Sequence, residues 1–225
     1  MEFRRAGAVA LCAWCGCAAA TGRDTPSGSI DAPSSGGSDA STNQNRPDAP
    51  VRIDAPQVTG SCSTPFSGVL ATWDFTGAAG NQASTSASQS ATGVSAGDAA
   101  RSASLTAMTG ANSINSSGWA TGASPDPTKF YTFGLQPPSG CSMTLTSLAI
   151  DTKASATGPP SASVATSDDG FTQSSDVNPN AATAPALSVN ASTAIVELRV
   201  YGYGASSASG TFRIQNTLTV TGSLQ

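Results

Sequence analysis

From Cys62 onward the sequence predicts an all-β sandwich or barrel, and three observations carry that prediction. Apolar and polar residues alternate in short runs, most clearly over "AIVELRVYGYGASSASGTFRIQNTLTVTG", Ala194 to Gly222; strict alternation marks a half-buried strand, because successive side chains leave opposite faces of the backbone. Clusters of Gly, Ser, Thr, Asn, Asp and Pro separate the runs, as turns between short strands require. No window of a dozen residues combines helical periodicity with caps. About 165 residues is enough chain for one core.

The first seventeen residues read as an export signal. Arg4 and Arg5 precede "AGAVALCAWCGCAAA", an apolar run too short to span a membrane as a stable helix. "WCGC" fits a bacterial lipobox that would leave Cys17 as the lipid acceptor, and cleavage after Ala20 is the alternative; both place the mature chain outside the cytoplasm, at the cell surface or outer membrane by lipid anchor, or secreted. Residues 18–60 follow as a disordered linker of Ser, Gly, Asp, Pro and Ala. Too little apolar surface is present there to offset the entropy of ordering the chain. Within it "IDAP" occurs at Ile30–Pro33 and Ile53–Pro56 and "PDAP" at Pro47–Pro50, a proline frequency that extends the spacer.

Residues 61–225 form the folded domain. Val69, Ala71, Trp73 and Phe75 are expected on one face of a first strand. "LTAMTG" and "INSSGW" are weak signals, with Trp119 expected in the core. Tyr131, Phe133 and Leu135 share a face before a Pro-Pro turn; Leu145, Leu148 and Ile150 are spaced so as to imply a bulge. "SASVATSDDGF" reads as a strand entering a turn at Asp169-Gly170. The last two strands bury Val196, Leu198 and Val200, and Phe212, Ile214, Leu218 and Val220. If they form a hairpin, the simplest register sets Tyr203 opposite Thr211, Tyr201 opposite Arg213, Arg199 opposite Gln215 and Glu197 opposite Thr217.

Composition excludes more chemistry than it includes. The chain has no histidine, the usual general base near neutral pH and the commonest metal ligand, so Ser-His-Asp triads and most zinc sites are out of reach. Five of the ten Lys plus Arg precede the domain and the formal charge is -4, which argues against nucleic acid, since phosphate binding needs clustered cations. Beyond the signal only Cys62 and Cys141 remain, and in an oxidising compartment they form one bridge worth roughly 4 kcal/mol by loop closure. No cofactor or metal is expected. Asp74 with Gln215-Asn216 offers one carboxylate to calcium, too few for the six to eight oxygens it takes. Asp168-Asp169 reads as a turn, because adjacent carboxylates seldom reach the separations that glycoside hydrolysis needs. The candidate binding residues are Glu197, Arg199, Tyr201, Tyr203 and Arg213, an outward face whose rings can stack on sugars while its polar groups meet hydroxyls.

"WDFTGAAGNQAST", "GVSAGDAARSASLT", "NSINSSGW", "KFYTFGLQPPSG", "LTSLAIDTKASATGPPS", "SDDGF" and "VYGYGASSASGTFRIQN" together resemble an uncharacterised β-sandwich domain of bacterial secreted and surface-anchored proteins, some with a PEP-CTERM sorting tail. The resemblance spans Val69 to Gly222 and implies an antiparallel jelly roll, similar in outline to carbohydrate-binding modules, with no activity to carry over. Lys153 stands where the family commonly has arginine, and Gln215-Asn216 where it often has Asp-Asn; no sorting tail follows the last strand. The expectation is a non-catalytic binding or adhesion module whose partner is a glycan or another surface protein. The alternatives are a structural surface protein and a polysaccharide-active enzyme using Asp168, Asp169 or Glu197.

Overall fold

A computed structural model describes residues 62–225. The signal, Cys17, the cleavage alternative at Ala20 and the linker lie outside the described residues. The strands are β1 (Phe66–Asp74), β2 (Ala79–Gly80), β3 (Ser84–Thr85), β4 (Gln89–Ser90), β5 (Ser95–Ala96), β6 (Ala99–Arg101), β7 (Thr106–Met108), β8 (Ser113–Ser117), β9 (Phe130–Gln136), β10 (Met143–Ala154), β11 (Ser161–Thr166), β12 (Ser174–Val177), β13 (Ala182–Thr183), β14 (Ala186–Ser192), β15 (Val196–Tyr203) and β16 (Phe212–Leu224). Among the described residues the only helix is one 3-10 turn, Ser167–Asp169.

These strands build two sheets. The first runs β13-β10-β16-β1-β4, with β14 also on β10 and with β8, flanked by β2 and β7, on β16. The second runs β12-β11-β15-β9-β6-β3, with β5 on β9. Pairing is antiparallel except where β2 meets β8 in parallel. One apolar core joins the two sheets. Trp73, Leu148, Ile150, Leu218 and Val220 of the first and Tyr131, Phe133, Leu135, Val164, Leu198 and Val200 of the second are each at most 2 % exposed. The Trp73 and Phe133 rings lie 5.1 Å apart across the core, and the Tyr131 hydroxyl donates to the Phe212 carbonyl at 2.6 Å. Fully burying one such apolar side chain contributes about 1.5–3 kcal/mol, so these positions dominate the fold's stability.

The expected inner faces of β9, β15 and β16 are the observed ones, Trp119 is a core residue at 1 % exposure, and the implied bulge falls between Leu145 and Ser147. The Cys62–Cys141 disulfide is present, spanning 79 residues. Two expectations are corrected. Val69 does not share the inner face of β1: the register slips between Val69 and Ala71, the extra residue turns Leu70 inward beside Ala71, and Val69 is left 45 % exposed.

The second correction concerns the hairpin. β15 pairs with β9 and β11, whereas β16 pairs with β1, β8 and β10, so the last two strands belong to different sheets. The loop between them is anchored to other segments: Gly204 N–H donates to Gly122 O, Ala205 N–H to Ala120 O and Ser207 N–H to Thr157 O. Tyr203 therefore lies opposite Ser161, Tyr201 opposite Ser163 and Phe130, and Arg199 opposite Ala165 and Thr132, while Arg213 lies opposite Lys153 and Asn115 in the other sheet.

β8, weak in the sequence, is wholly buried although four of its five residues are polar. Local bonds satisfy much of it, leaving Asn115 Oδ1 without a partner: Ser113 Oγ donates to Gly110 O at 2.6 Å, and Asn115 Nδ2 to Thr109 O at 2.7 Å. Arg101, from the second sheet, reaches across to donate to Ser116 Oγ (3.0 Å) and to the carbonyls of Gln82 (2.5 Å), Gly80 (2.9 Å) and Asn115 (3.3 Å). Burial lowers its guanidinium pKa, and no carboxylate among the described residues pairs with it. It pins β6 to β2 and β8 through main-chain oxygens. Arg101→Met should cost about 3 kcal/mol, since hydrogen bonds to a charged group contribute about 1.5–3 kcal/mol and their removal strands buried carbonyls; urea unfolding of the variant checks it.

Candidate functional site

The outward face of β15 keeps three of the five expected binding residues together. Its alternation carries Val196, Leu198 and Val200 into the core and turns Glu197, Arg199 and Tyr201 to the other side. Arg199 Nε donates to Glu197 Oε1 at 2.7 Å, and the same oxygen accepts from Thr132 Oγ1 of β9 at 2.9 Å. The guanidinium lies between two rings, 4.2 Å from the centroid of Phe130 and 4.0 Å from that of Phe171. Partly desolvated cation-π contacts of this kind contribute about 1–2 kcal/mol each. The Phe130 and Tyr201 rings meet at 5.9 Å, edge to face.

Burial works against both charges, yet each stabilises the other. Desolvation alone would raise the Glu197 pKa, but the bonds from Arg199 and Thr132 and the adjacent positive charge bring it below the usual carboxylate range. Desolvation likewise opposes the Arg199 cation, and Glu197 with the Tyr201 hydroxyl outweighs it, so that pKa is raised. Glu197 is thus a bound anion, not a carboxyl group poised to donate a proton.

Two loops turn this face into a groove of about 460 Å³. Its floor is Ser163 and Ala165 of β11, both buried; Arg199, Tyr201, Pro125, Pro127, and Phe171 with Thr172 and Ser174 line the rest. The β11–β12 connection supplies Phe171. Its 3-10 turn ends at Gly170 with φ 69°, a left-handed conformation that glycine adopts freely. Phe171 itself then takes φ 62°, an outlier for a bulky side chain and a strain that persists only where surrounding contacts impose it, commonly at functional sites. Phe171 N–H donates to Thr166 O at 2.9 Å. The Asp169 carboxylate accepts from Thr172 N–H (3.3 Å) and Gln173 N–H (2.8 Å), so this acidic residue braces the loop.

Not every expected site residue joins this groove. Tyr201 lines the groove but is only 6 % exposed, with the Phe130 ring edge-on to it at 5.9 Å, so the flat, solvated tyrosine face expected from the alternation is not formed. Tyr203, half-buried opposite Ser161, does not line the groove. Arg213 is excluded by its sheet: its Nε donates to Gln215 Oε1 at 3.0 Å, and Gln215 and Asn216 in turn donate to Asp151. The Asp74 carboxylate accepts from Thr76 N–H at 2.8 Å, and among the described residues no three His, Cys, Asp or Glu side chains cluster.

Phe130, Phe171, Ser163, Pro125 and Pro127 escaped the sequence reading. Two of them carry a signal in hindsight. Phe130 is an aromatic on the polar face of a run whose other face already holds Tyr131, Phe133 and Leu135, and Phe171 is a large apolar residue directly after a turn glycine. A larger depression of about 770 Å³ near Cys141 and Gln225 is lined by no aromatic and no charged side chain, so it offers no ring on which a ligand could stack. Comparisons of the chain with protein-family models, with curated proteins and with solved structures gave no match.

Proposed function

We propose that this chain is an exported, lipid-anchored surface protein whose domain, a jelly-roll sandwich, is a non-catalytic binding module for carbohydrate, with the groove over β11 and β15 as its recognition site. The carrying observation is the fixed stack of Phe130, Arg199 and Phe171 beside a floor of small side chains. Apolar ring and proline surfaces suit the C–H faces of a sugar, and immobilised donors suit its hydroxyls at little entropic cost. Export is supported by the Cys62–Cys141 disulfide, since such bonds persist in oxidising compartments, together with the N-terminal lipobox. The absence of histidine from the sequence and the local engagement of Asp169 and Glu197 support binding without turnover.

A glycan array probed with the full chain tests this reading. Phe171→Ala and Arg199→Ala should each weaken retention at least tenfold, whereas Arg213→Ala, on the opposite sheet, should leave it unchanged. Equal loss in all three, or no retention of the unsubstituted chain on any glycan, would contradict it.

A further inference from the structure

One side chain in the groove is at odds with ordinary folding economy. Ser163 is 2 % exposed, and its Oγ is buried with no hydrogen-bond partner. It occupies the floor: Ser163 pairs with Tyr201 on one side and Asp176 on the other, and it lines the cavity. A buried hydroxyl left unpaired destabilises the fold, and alanine would fill the same position without that cost. Thr64 Oγ1, Gln82 Oε1, Asn115 Oδ1 and Thr183 Oγ1 are likewise buried without a partner, but of these residues only Ser163 lines the groove. Buried polar groups without partners call for a reason, and here a ligand atom that completes the bond is one.

The charges around the groove limit what that ligand is. Among the described residues there are five cations. Arg199 is offset by Glu197 at 2.7 Å, Lys129 lies 3.8 Å from Asp126, Arg101 is consumed between the sheets, and Lys153 and Arg213 stand on the other sheet. An incoming anion would meet no uncompensated positive charge. The lining offers the Ser174 hydroxyl and, as an acceptor only, the Thr172 hydroxyl, which donates its proton to Asp169 O at 3.0 Å. Arg199 lines the groove and makes its hydrogen bond to Glu197 through Nε, so its Nη N–H groups remain as further donors. Such groups match sugar hydroxyls, which both donate and accept.

We propose that Ser163 Oγ is the specificity-determining contact of this groove and that it pairs with one ring hydroxyl of an uncharged saccharide. The proposal rests on the carbohydrate-binding reading above and adds to it both the ligand's charge class and the residue that reads it. Ser163 then lowers the stability of the free protein and raises its affinity for the ligand. This combination is the signature to look for.

The test uses the full chain on an array holding uncharged saccharides and their uronic- and sialic-acid counterparts. It adds titration calorimetry with the strongest uncharged binder and its monodeoxy analogues. Unsubstituted protein should retain uncharged saccharides in preference to acidic ones and should bind one monodeoxy analogue about fivefold more weakly than the parent sugar, the loss of a single neutral hydrogen bond. Ser163→Ala should bind the parent and that analogue equally, with a Tm equal to or above that of the unsubstituted chain. Preference for acidic glycans would overturn the proposal, as would undiminished discrimination in Ser163→Ala or a lowered Tm; in those cases carbohydrate binding would still stand. A groove occupied instead by a synthetic Asp-Ala-Pro repeat peptide that displaces the saccharide at equal concentration would also overturn it. No retention of any glycan would remove both the proposal and the reading beneath it.

Discussion

Replacing Cys62 and Cys141 together by serine is expected to lower the unfolding free energy by about 4 kcal/mol, the loop-closure entropy for a closed loop of this size. The bridge spans 79 residues and ties the segment before β1 to Cys141, two residues ahead of the start of β10. Both strands flank β16, the long central strand of the first sheet. Without the crosslink, β1 is held at its outer end by pairs such as Phe66 with Leu224, and Phe66 is itself 40 % exposed. A domain of this kind has roughly 5–15 kcal/mol of net stability, so the loss is a large fraction of the whole. Equilibrium denaturation of the unsubstituted chain with and without reductant, beside the double variant, measures it; coincident curves would refute the expectation.

Trp119→Ala should cost a similar amount, about 4 kcal/mol, the middle of the range for removing a fully buried large aromatic side chain. The indole is 1 % exposed and stacks edge to face on Tyr131 and Phe212 at 5.1 and 5.3 Å. It thereby bridges a strand of each sheet. Its Nε1 donates to Ser116 O at 2.8 Å, and the ring lies against Gly202, where an added Cβ would come 3.1 Å from Cε3. The cavity left by alanine is walled by strands from both sheets that cannot collapse into it. For a domain of this length the loss is equivalent to about 10 °C in Tm, which calorimetry reads directly; a fall below about 3 °C would show that Trp119 does not hold the layers together.

The faces of the strands were legible in the sequence, and their partners were not. Alternation at Val196, Leu198 and Val200 and at Phe212, Ile214, Leu218 and Val220 identified the buried sides correctly. The same alternation arises whether two strands lie edge to edge in one sheet or face each other across a core. The deciding information sits in the loop at Gly204–Thr211, whose main-chain bonds go to residues distant in sequence, and small residues there also resemble a hairpin turn. Polar β8 was faint because its burial depends on Arg101 and on local carbonyls, partners that no periodicity records. The candidate site was half readable. Glu197, Arg199 and Tyr201 follow from β15 alone, whereas Phe130, Phe171 and Ser163 come from three other segments and are brought to the groove by strand pairing and by one loop glycine. Val69 illustrates the limit within a single strand: one bulged residue reverses its face, and nothing in "SGVLATW" marks where the slip falls.

The claim on which the functional account turns is that recognition takes place over β11 and β15. Amide chemical-shift mapping of the full chain, titrated with the uncharged saccharide most strongly retained on the array, tests it most directly. The account predicts perturbations concentrated at Ser163, Ala165, Gly170 to Ser174, Arg199 and Tyr201. Perturbations centred instead on Asp151, Arg213 and Gln215, on the outer side of the other sheet, would contradict it.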